Sequence, residues 1–362
     1  MEVSDVSNTL NKSSQRASIC FVSETGRIEN PLKDPSVRYR CYHPAEMLAS
    51  EGYDCTVVSA AQFHNTPLLN HDVYVFHRPN TARVGFRSVI DTLSKLGAIL
   101  IADYDDLIFG NEELALVSSA VKNGTLTKER AIKAFKSNLE GLRHFNKVIV
   151  STAPLMAHVR EYNPKAQVEV ASNVVPSSIL SLHHENRTPF LKRSSTSIGY
   201  FAGTHSHNQD FPIVEAVLHR VLSENPKFSL LLVGPVSVPG SLAALPNVYT
   251  ADVVNFLRLP GLMATCSTVI APLENTQFNS CKSRVKFLEA ALSGCRLVAS
   301  PIHDMVAVGE ENLTLPKSRN EWYHFLCHPP HADERRELAG RNFSKLEELQ
   351  RNDGIKALAG LT

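Results

Sequence analysis

Ile198-Gly-Tyr-Phe-Ala-Gly-Thr-His-Ser-His-Asn-Gln-Asp210 is the stretch whose reading decides the fold. Its apolar run breaks at Gly203 into small and polar residues, then resumes as a helical pattern over Phe211–Leu222, which is the order strand, tight loop, helix. In such a unit the loop amides and the positive end of the helix face outward together, which suits a phosphate or diphosphate. The same order opens the first half of the chain, where Ile19–Val22 is followed by a polar loop and a helix. The pattern predicts an α/β protein of two Rossmann-like domains. Taken alone, such a crossover is equally compatible with a purely structural loop.

Working outward, Ser18–Val22, Asp54–Ser59, Val73–Phe76, Ala98–Ala102 and Val148–Ser151 read as strands alternating with helices, among them Tyr42–Ser50 and Lys128–Phe145. Alternation implies parallel pairing. Between His183 and Ser197 the sequence turns polar and irregular, as an interdomain connection does. The second half repeats the rhythm with strands Ile198–Ala202, Ser229–Val233, Ser267–Ala271 and Arg296–Ala299, and with helices Phe211–Glu224, Val254–Ala264 and Ser283–Leu292. These signals divide the chain into a disordered leader (1–17), a first domain (18–190), a second domain (191–330) and a C-terminal helical segment (331–362) that packs back on the domains. In that segment Leu338, Phe343, Leu346 and Leu349 share one helix face.

At 362 residues, 43% hydrophobic and 20% charged, the chain is long enough for two cores. Its 37 basic and 36 acidic residues leave a formal charge of +1, so nothing global attracts nucleic acid or an anionic membrane, and any anion site is local. No stretch reaches the roughly 18 uninterrupted apolar residues of a membrane span, and the leader lacks a signal-peptide core. A cytoplasmic protein is expected. Seven scattered cysteines without a Cys-x-x-Cys pair argue against a disulfide framework and a thiolate zinc site.

In open parallel sheets ligands gather at the carboxyl ends of the strands. Asp103-Tyr-Asp105-Asp106 follows the strand Ala98–Ala102. Acids crowded at a strand end act as bases or grip hydroxyls, or else form a solvated turn. Lys282, Lys286 and Glu289 recur at i, i+4 and i+7, on one helix face that suits a diphosphate and a ribose, or that is an exposed Lys–Glu pair. In the Thr204–Asp210 loop, Thr204 offers a hydroxyl and His205 and His207 offer proton carriers or phosphate partners, while Asp210 is expected to cap the next helix. Arg38, Arg40, His77 and Arg78 stand where positive groups face a phosphate or an acidic acceptor across a cleft. No Gly-x-Ser-x-Gly elbow, Walker loop, His-Glu-x-x-His or dinucleotide fingerprint is present.

Ile198–Phe211 resembles the loop that opens the donor domain in a subset of the two-domain GT-B glycosyltransferases, the bacterial nucleotide-sugar-dependent enzymes similar to family 4 (group 1). Leu231-Leu-Val-Gly-Pro235, Ala271-Pro-Leu-Glu274, Lys282-Ser-Arg-Val-Lys-Phe-Leu-Glu-Ala-Ala-Leu-Ser-Gly294, Leu297-Val-Ala-Ser-Pro301, Arg38-Tyr-Arg-Cys-Tyr-His-Pro44 and Asp103-Tyr-Asp-Asp-Leu107 are similar to the same group. The resemblance implies two domains facing across a cleft. Gly203 and Thr204 would lie against the donor diphosphate, with His205, Ser283 and Lys286 in the donor site, Lys282 neutralising the charge and Glu289 accepting from the ribose. Asp103 or Asp105 would orient the acceptor hydroxyl, with His207 as a further catalytic group. It implies a retaining transfer from a nucleotide sugar to a glycan or lipid-linked acceptor in surface polysaccharide or glycoconjugate synthesis, without a cofactor or obligatory metal. Work at the inner face of the membrane would follow from a lipid-linked acceptor. The first acid of the group's Glu-x7-Glu pattern is missing, since Cys281 and Ser280 stand there, and the usual Arg and Lys pair of the donor loop is replaced by histidines. Three rivals stay open, the last of them because of the missing acid. One is a metal site on Asp103-Tyr-Asp105, as in the single-domain GT-A transferases; the others are a nucleotide-sugar epimerase and a catalytically silent glycan- or nucleotide-binding subunit.

Overall fold

The computed structural model describes residues 16–27, 29–185, 195–203, 209–350 and 354–361. The first sheet is built from β1 (Ser18–Ser23), β2 (Asp54–Ser59), β3 (Val73–His77), β4 (Ile99–Tyr104), β5 (Lys147–Val150) and β6 (Gln167–Val170), in the order β2-β1-β3-β4-β5-β6. The second holds β7 (Ser197–Phe201), β8 (Ser229–Val233), β9 (Val248–Ala251), β10 (Thr268–Ala271) and β11 (Arg296–Ala299), in the order β11-β10-β7-β8-β9. All nine pairings are parallel. The central strands β3 and β10 are buried along their whole length, which is why they read as unbroken apolar runs.

Each order reverses direction once, between β1 and β3 in the first sheet and between β7 and β10 in the second. Such reversals leave a crevice at the carboxyl ends, because the flanking crossovers run to opposite sides. Gly234 closes β8 against its neighbour. It sits at φ +95, and a Cβ there would lie 1.9 Å from the carbonyl oxygen of Ala202, so only glycine fits.

The two cores interlock. Tyr39, from the first domain, is buried with Phe287 and Leu288 in the second domain's core. Phe278 and Cys281, from the second, are buried in the first domain's core, where Phe278 meets the ring of Phe135 edge-on at 6.3 Å. The C-terminal segment serves both. Helix Ala332–Leu349 packs Phe343 and Leu346 on the second core, and helix Gly354–Ala359 returns to the first, burying Ile355 and Leu358 beside Ile101 and Ile149. Among the described residues no helix is long and apolar enough to cross a membrane.

Two expectations change in detail. The helix read as Val254–Ala264 is only Leu259–Met263, because Pro260 has no amide to donate and belongs in a first turn. The helix after β1 starts as the short α-turn Pro35–Val37, passes through one turn of π-helix, Arg38–Tyr42, and continues as His43–Ser50; the π-turn carries Arg38 and Tyr39 into the domain interface and Arg40 onto Asp103.

Candidate active site

The acidic run begins inside β4 with Asp103 and continues past the strand's end with Asp105 and Asp106. Asp103 shares a face with Ile101 and is fully buried. Arg40 meets it with Nε at 3.0 Å from Oδ2 and Nη2 at 2.5 Å from Oδ1, and its Nη1 donates to the carbonyl of Ala171 and to Asn173 Oδ1. Two desolvated charges are tolerable there because each satisfies the other with added hydrogen bonds.

One step along, Asp105 Oδ1 accepts from Arg78 Nε at 2.7 Å and Oδ2 accepts from Ser36 Oγ at 2.5 Å. His77, the last residue of β3, completes this layer. Its Nδ1 accepts the amide of Glu24, which leaves the proton on Nε2 to face Ser36 Oγ at 2.7 Å. Ser36 therefore donates to the carboxylate and is not activated as a nucleophile. It is placed by Asp34, whose side chain caps the short helix by accepting from the Ser36 amide. Burial works against the Asp105 charge, but the Arg78 guanidinium and His77 outweigh it and hold the carboxyl well below its usual range.

Asp106 lies nearest the cleft. Its Oδ2 accepts from Arg78 Nη2 at 3.0 Å and its Oδ1 from Lys282 Nζ at 2.6 Å. Arg78 thus bridges two adjacent carboxylates, and it does so from a left-handed backbone at φ 51, a conformation costly for a side-chain-bearing residue and often found at functional sites. Lys282 belongs to the other domain, so the charges run Asp105, Arg78, Asp106, Lys282 from one sheet end to the other. Burial opposes the Lys282 charge, yet Asp106 prevails and raises its pKa above the ordinary lysine value.

The segment around Lys282 is fastened on both sides. Thr152 Oγ1 donates to the Cys281 carbonyl at 3.0 Å, and Asn173 Nδ2 donates to Ser283 Oγ at 2.8 Å. Arg284 forks onto Asp304, with Nη2–Oδ1 at 2.5 Å, and reaches Ser172 Oγ. Helix Val285–Leu292 then starts, carrying Lys286 and Glu289 in contact at 2.8 Å, with Glu289 largely buried close to Tyr39. Asp210 does not cap helix Pro212–Glu224 with its side chain. Its Oδ1 accepts from the Glu274 amide and from Asn279 Nδ2, which ties the loop after β7 to the loop after β10.

No protein-family model matches the sequence, and no curated protein matches it. Solved structures match over nearly the whole chain. HepE from Anabaena, solved with UDP and glucose, aligns at a TM-score of 0.54 with 14% identity, over 96% of this chain and 98% of that one. A glycosyltransferase from Rickettsia africae gives 0.58 at 12% identity, over 95% and 99%. Sucrose-phosphate synthase from Thermosynechococcus elongatus gives 0.55 at 13% identity, over 96% and 97%. The fold is GT-B.

Placed in the GT-B frame, the expected residues separate into layers. Arg78, Asp105, Lys282 and Ser283 converge where the two sheet ends meet, while Lys286 and Glu289 lie on the first turns of the helix behind Lys282. Gly203, after β7, is exposed with open space around its Cα. Arg40, Asp103 and His77 are all buried and partnered inside the first domain. Arg38 is buried as well, its guanidinium 4.3 Å above the Phe256 ring of the other domain. Thr204, His205 and His207 lie outside the described residues. Cys281, where the first acid of Glu-x7-Glu would fall, faces the first domain's core, and burial pushes its thiol up to about 11.

The sequence reading named Asp106 only as one acid of the run at the end of β4, and it passed over Ser36, Asn173 and Arg284. Asp106 stands past the end of β4, so no strand periodicity told it from its neighbours. The other three act through partners more than twenty residues away in the chain or across the interface, which no local pattern records.

Proposed function

We propose that this protein is a glycosyltransferase that moves a sugar from a nucleotide sugar, held by the second domain, to a hydroxyl of a glycan or lipid-linked acceptor held by the first. The observation that carries the reading is the Lys282 ammonium. It is partly exposed, sits where the carboxyl ends of both sheets meet, and directly precedes the amino end of helix Val285–Leu292. Fixed cations and helix-end dipoles at that point suit a diphosphate leaving group. HepE, which shares the fold, is described with UDP and glucose, and that makes UDP the first nucleotide to test.

In the step we envisage, the bond from the sugar's anomeric carbon to the diphosphate oxygen breaks and its electron pair goes to the diphosphate, whose charge Lys282 and the amides near Gly203 offset. The acceptor oxygen bonds to the same carbon with retention, and its proton passes to the departing phosphate. Glu289 receives the ribose hydroxyls. Surface polysaccharide or glycoconjugate synthesis is the setting we infer, with a lipid-linked acceptor bringing the chain to the inner face of the membrane.

A thermal-shift screen against UDP, GDP, ADP, dTDP and CMP tests the donor site. A true ligand at 100 times its dissociation constant adds about 2.7 kcal/mol of stability. No shift with any of them removes the reading. Binding without nucleotide release from UDP-sugars in the presence of glycan acceptors favours a silent binding subunit instead, and sugar conversion without acceptor favours an epimerase.

A further inference from the structure

Three carboxylates crowd the end of β4, and only one of them is offered to the cleft. Asp103 is sealed with Arg40, and both oxygens of Asp105 are taken, by Arg78 and by Ser36. Asp106 keeps 27% of its side-chain surface and Lys282 keeps 30%, so this pair is within reach of a ligand. Its two bonds are unequal. Arg78 is anchored by a second carboxylate, by its amide on the Asp103 carbonyl at 2.7 Å and by a fixed left-handed backbone. Lys282 holds Asp106 by one hydrogen bond at the tip of a flexible stem, and that bond spans the two domains.

Resting on the donor reading above, we propose that Lys282 is passed from Asp106 to the donor diphosphate, and that Asp106, then free on Oδ1 but still held on Oδ2 by Arg78, grips a hydroxyl of the acceptor. A diphosphate carries more charge than a single carboxylate, so it wins the ammonium. Asp106 is then an acceptor-positioning residue that becomes available only after the donor has bound. It takes no proton and forms no covalent bond. Before the donor arrives, the same carboxylate competes with it. The chain thereby binds donor first and acceptor second, and the cleft does not offer its acceptor-side carboxylate while the donor site is empty.

The test uses full-length protein, calorimetry and two probes, inorganic pyrophosphate and UDP. Asp106→Asn removes the competitor and is expected to tighten both by about tenfold, the ratio that one charge-assisted hydrogen bond is worth. In a Lys282→Ala background the same substitution should change neither affinity. Equal or weaker binding by Asp106→Asn overturns the handover while leaving the donor site intact. Absence of binding of either probe to wild type and variant overturns the donor reading itself. With UDP-sugar as donor, Asp106→Asn should raise the acceptor KM while the donor KM falls, a split that a merely structural role does not produce. Should Asp106→Asn fail to fold, the wild type still decides. Pyrophosphate must shift the 15Nζ resonance that Lys282→Arg removes from a lysine-labelled sample, and an unmoved resonance overturns the proposal.

Discussion

Arg40 and Asp103 form a bidentate ion pair from which solvent is excluded, and through Asn173 that pair is linked to Ser283 of the opposite domain. The guanidinium is thus a junction between the floor of the cleft and the segment that carries Lys282. Removing one partner leaves a buried, uncompensated charge, which costs about 3–5 kcal/mol. Asp103→Asn and Arg40→Met should each lower unfolding free energy in urea by that order. The double variant Arg40→Met/Asp103→Leu should lose markedly less than the sum. Additive losses would mean that the two charges do not stabilise one another.

Arg78 allows backbone strain to be separated from side-chain chemistry. Glycine accepts φ 51 freely, whereas alanine does not. Both Arg78→Gly and Arg78→Ala lose the bridge between Asp105 and Asp106, so both should lose transfer activity to the same extent. Arg78→Gly should nonetheless unfold about 1 kcal/mol later than Arg78→Ala. Equal stabilities would show that the left-handed geometry is not retained once the guanidinium is gone.

Much of this architecture was legible in the sequence. The apolar runs at Val73–Phe76 and Ser267–Ala271 announced buried parallel strands, and the break at Gly203 marked the entry to the second sheet. What escaped was pairing at long range. Arg40 and Asp103 are 63 residues apart, and the sequence alone presents each as a charge at an element end, where a ligand contact is the natural reading. Their mutual burial is decided by the π-turn at Arg38–Tyr42, which carries Arg40 onto Asp103 near the end of β4. Lys282 and Asp106 are 176 residues apart, and only the docking of two domains brings them together.

His43 makes stability fall in mild acid. Its Nδ1 faces the Val174 carbonyl at 3.1 Å, its Nε2 is buried without a partner, and its ring meets Tyr39 edge-on at 4.8 Å. Burial pulls its pKa down to about 4; the Val174 carbonyl opposes that shift, and Arg38 adds to it. Between the unfolded value near 6.5 and about 4, the unfolded chain holds a proton that the folded chain refuses. Its contribution is therefore complete above pH 6.5, is lost as pH falls through that window, and is flat below it. The loss at pH 4 is of order 3 kcal/mol. Unfolding free energies of wild type and His43→Gln, measured from pH 4 to 7, should diverge with that slope. Parallel curves would place the sensitivity elsewhere, His64 being the next candidate since burial also draws it down to about 4.

The Asp103-Tyr-Asp105 pair bears on the metal question. An Asp-x-Asp metal site needs free carboxylate oxygens. Here Arg40 holds Asp103, Arg78 and Ser36 hold Asp105, and Arg78 and Lys282 hold Asp106. A divalent ion would have to displace a guanidinium from a buried partner. Nucleotide release from the donor should therefore proceed unchanged in excess EDTA, and loss of turnover restored by manganese would reverse this assignment.

Glu289 separates recognition of the nucleoside from recognition of the phosphates. It lies on helix Val285–Leu292, largely buried, with Lys286 Nζ on its Oε2 at 2.8 Å, so its carboxylate is oriented before any ligand arrives. If it receives the ribose hydroxyls, Glu289→Ala should weaken UDP by about tenfold or more, the loss of at least one hydrogen bond to a charged acceptor. Inorganic pyrophosphate has no ribose, and its affinity should stay within about twofold of wild type, a change of under 0.5 kcal/mol. Lys282→Ala should weaken both probes together. Calorimetry on the two variants with the two probes therefore gives a pattern of four results. A pyrophosphate affinity that falls along with that of UDP in Glu289→Ala would mean that the residue supports the phosphate site through Lys286 and does not touch the sugar of the nucleotide.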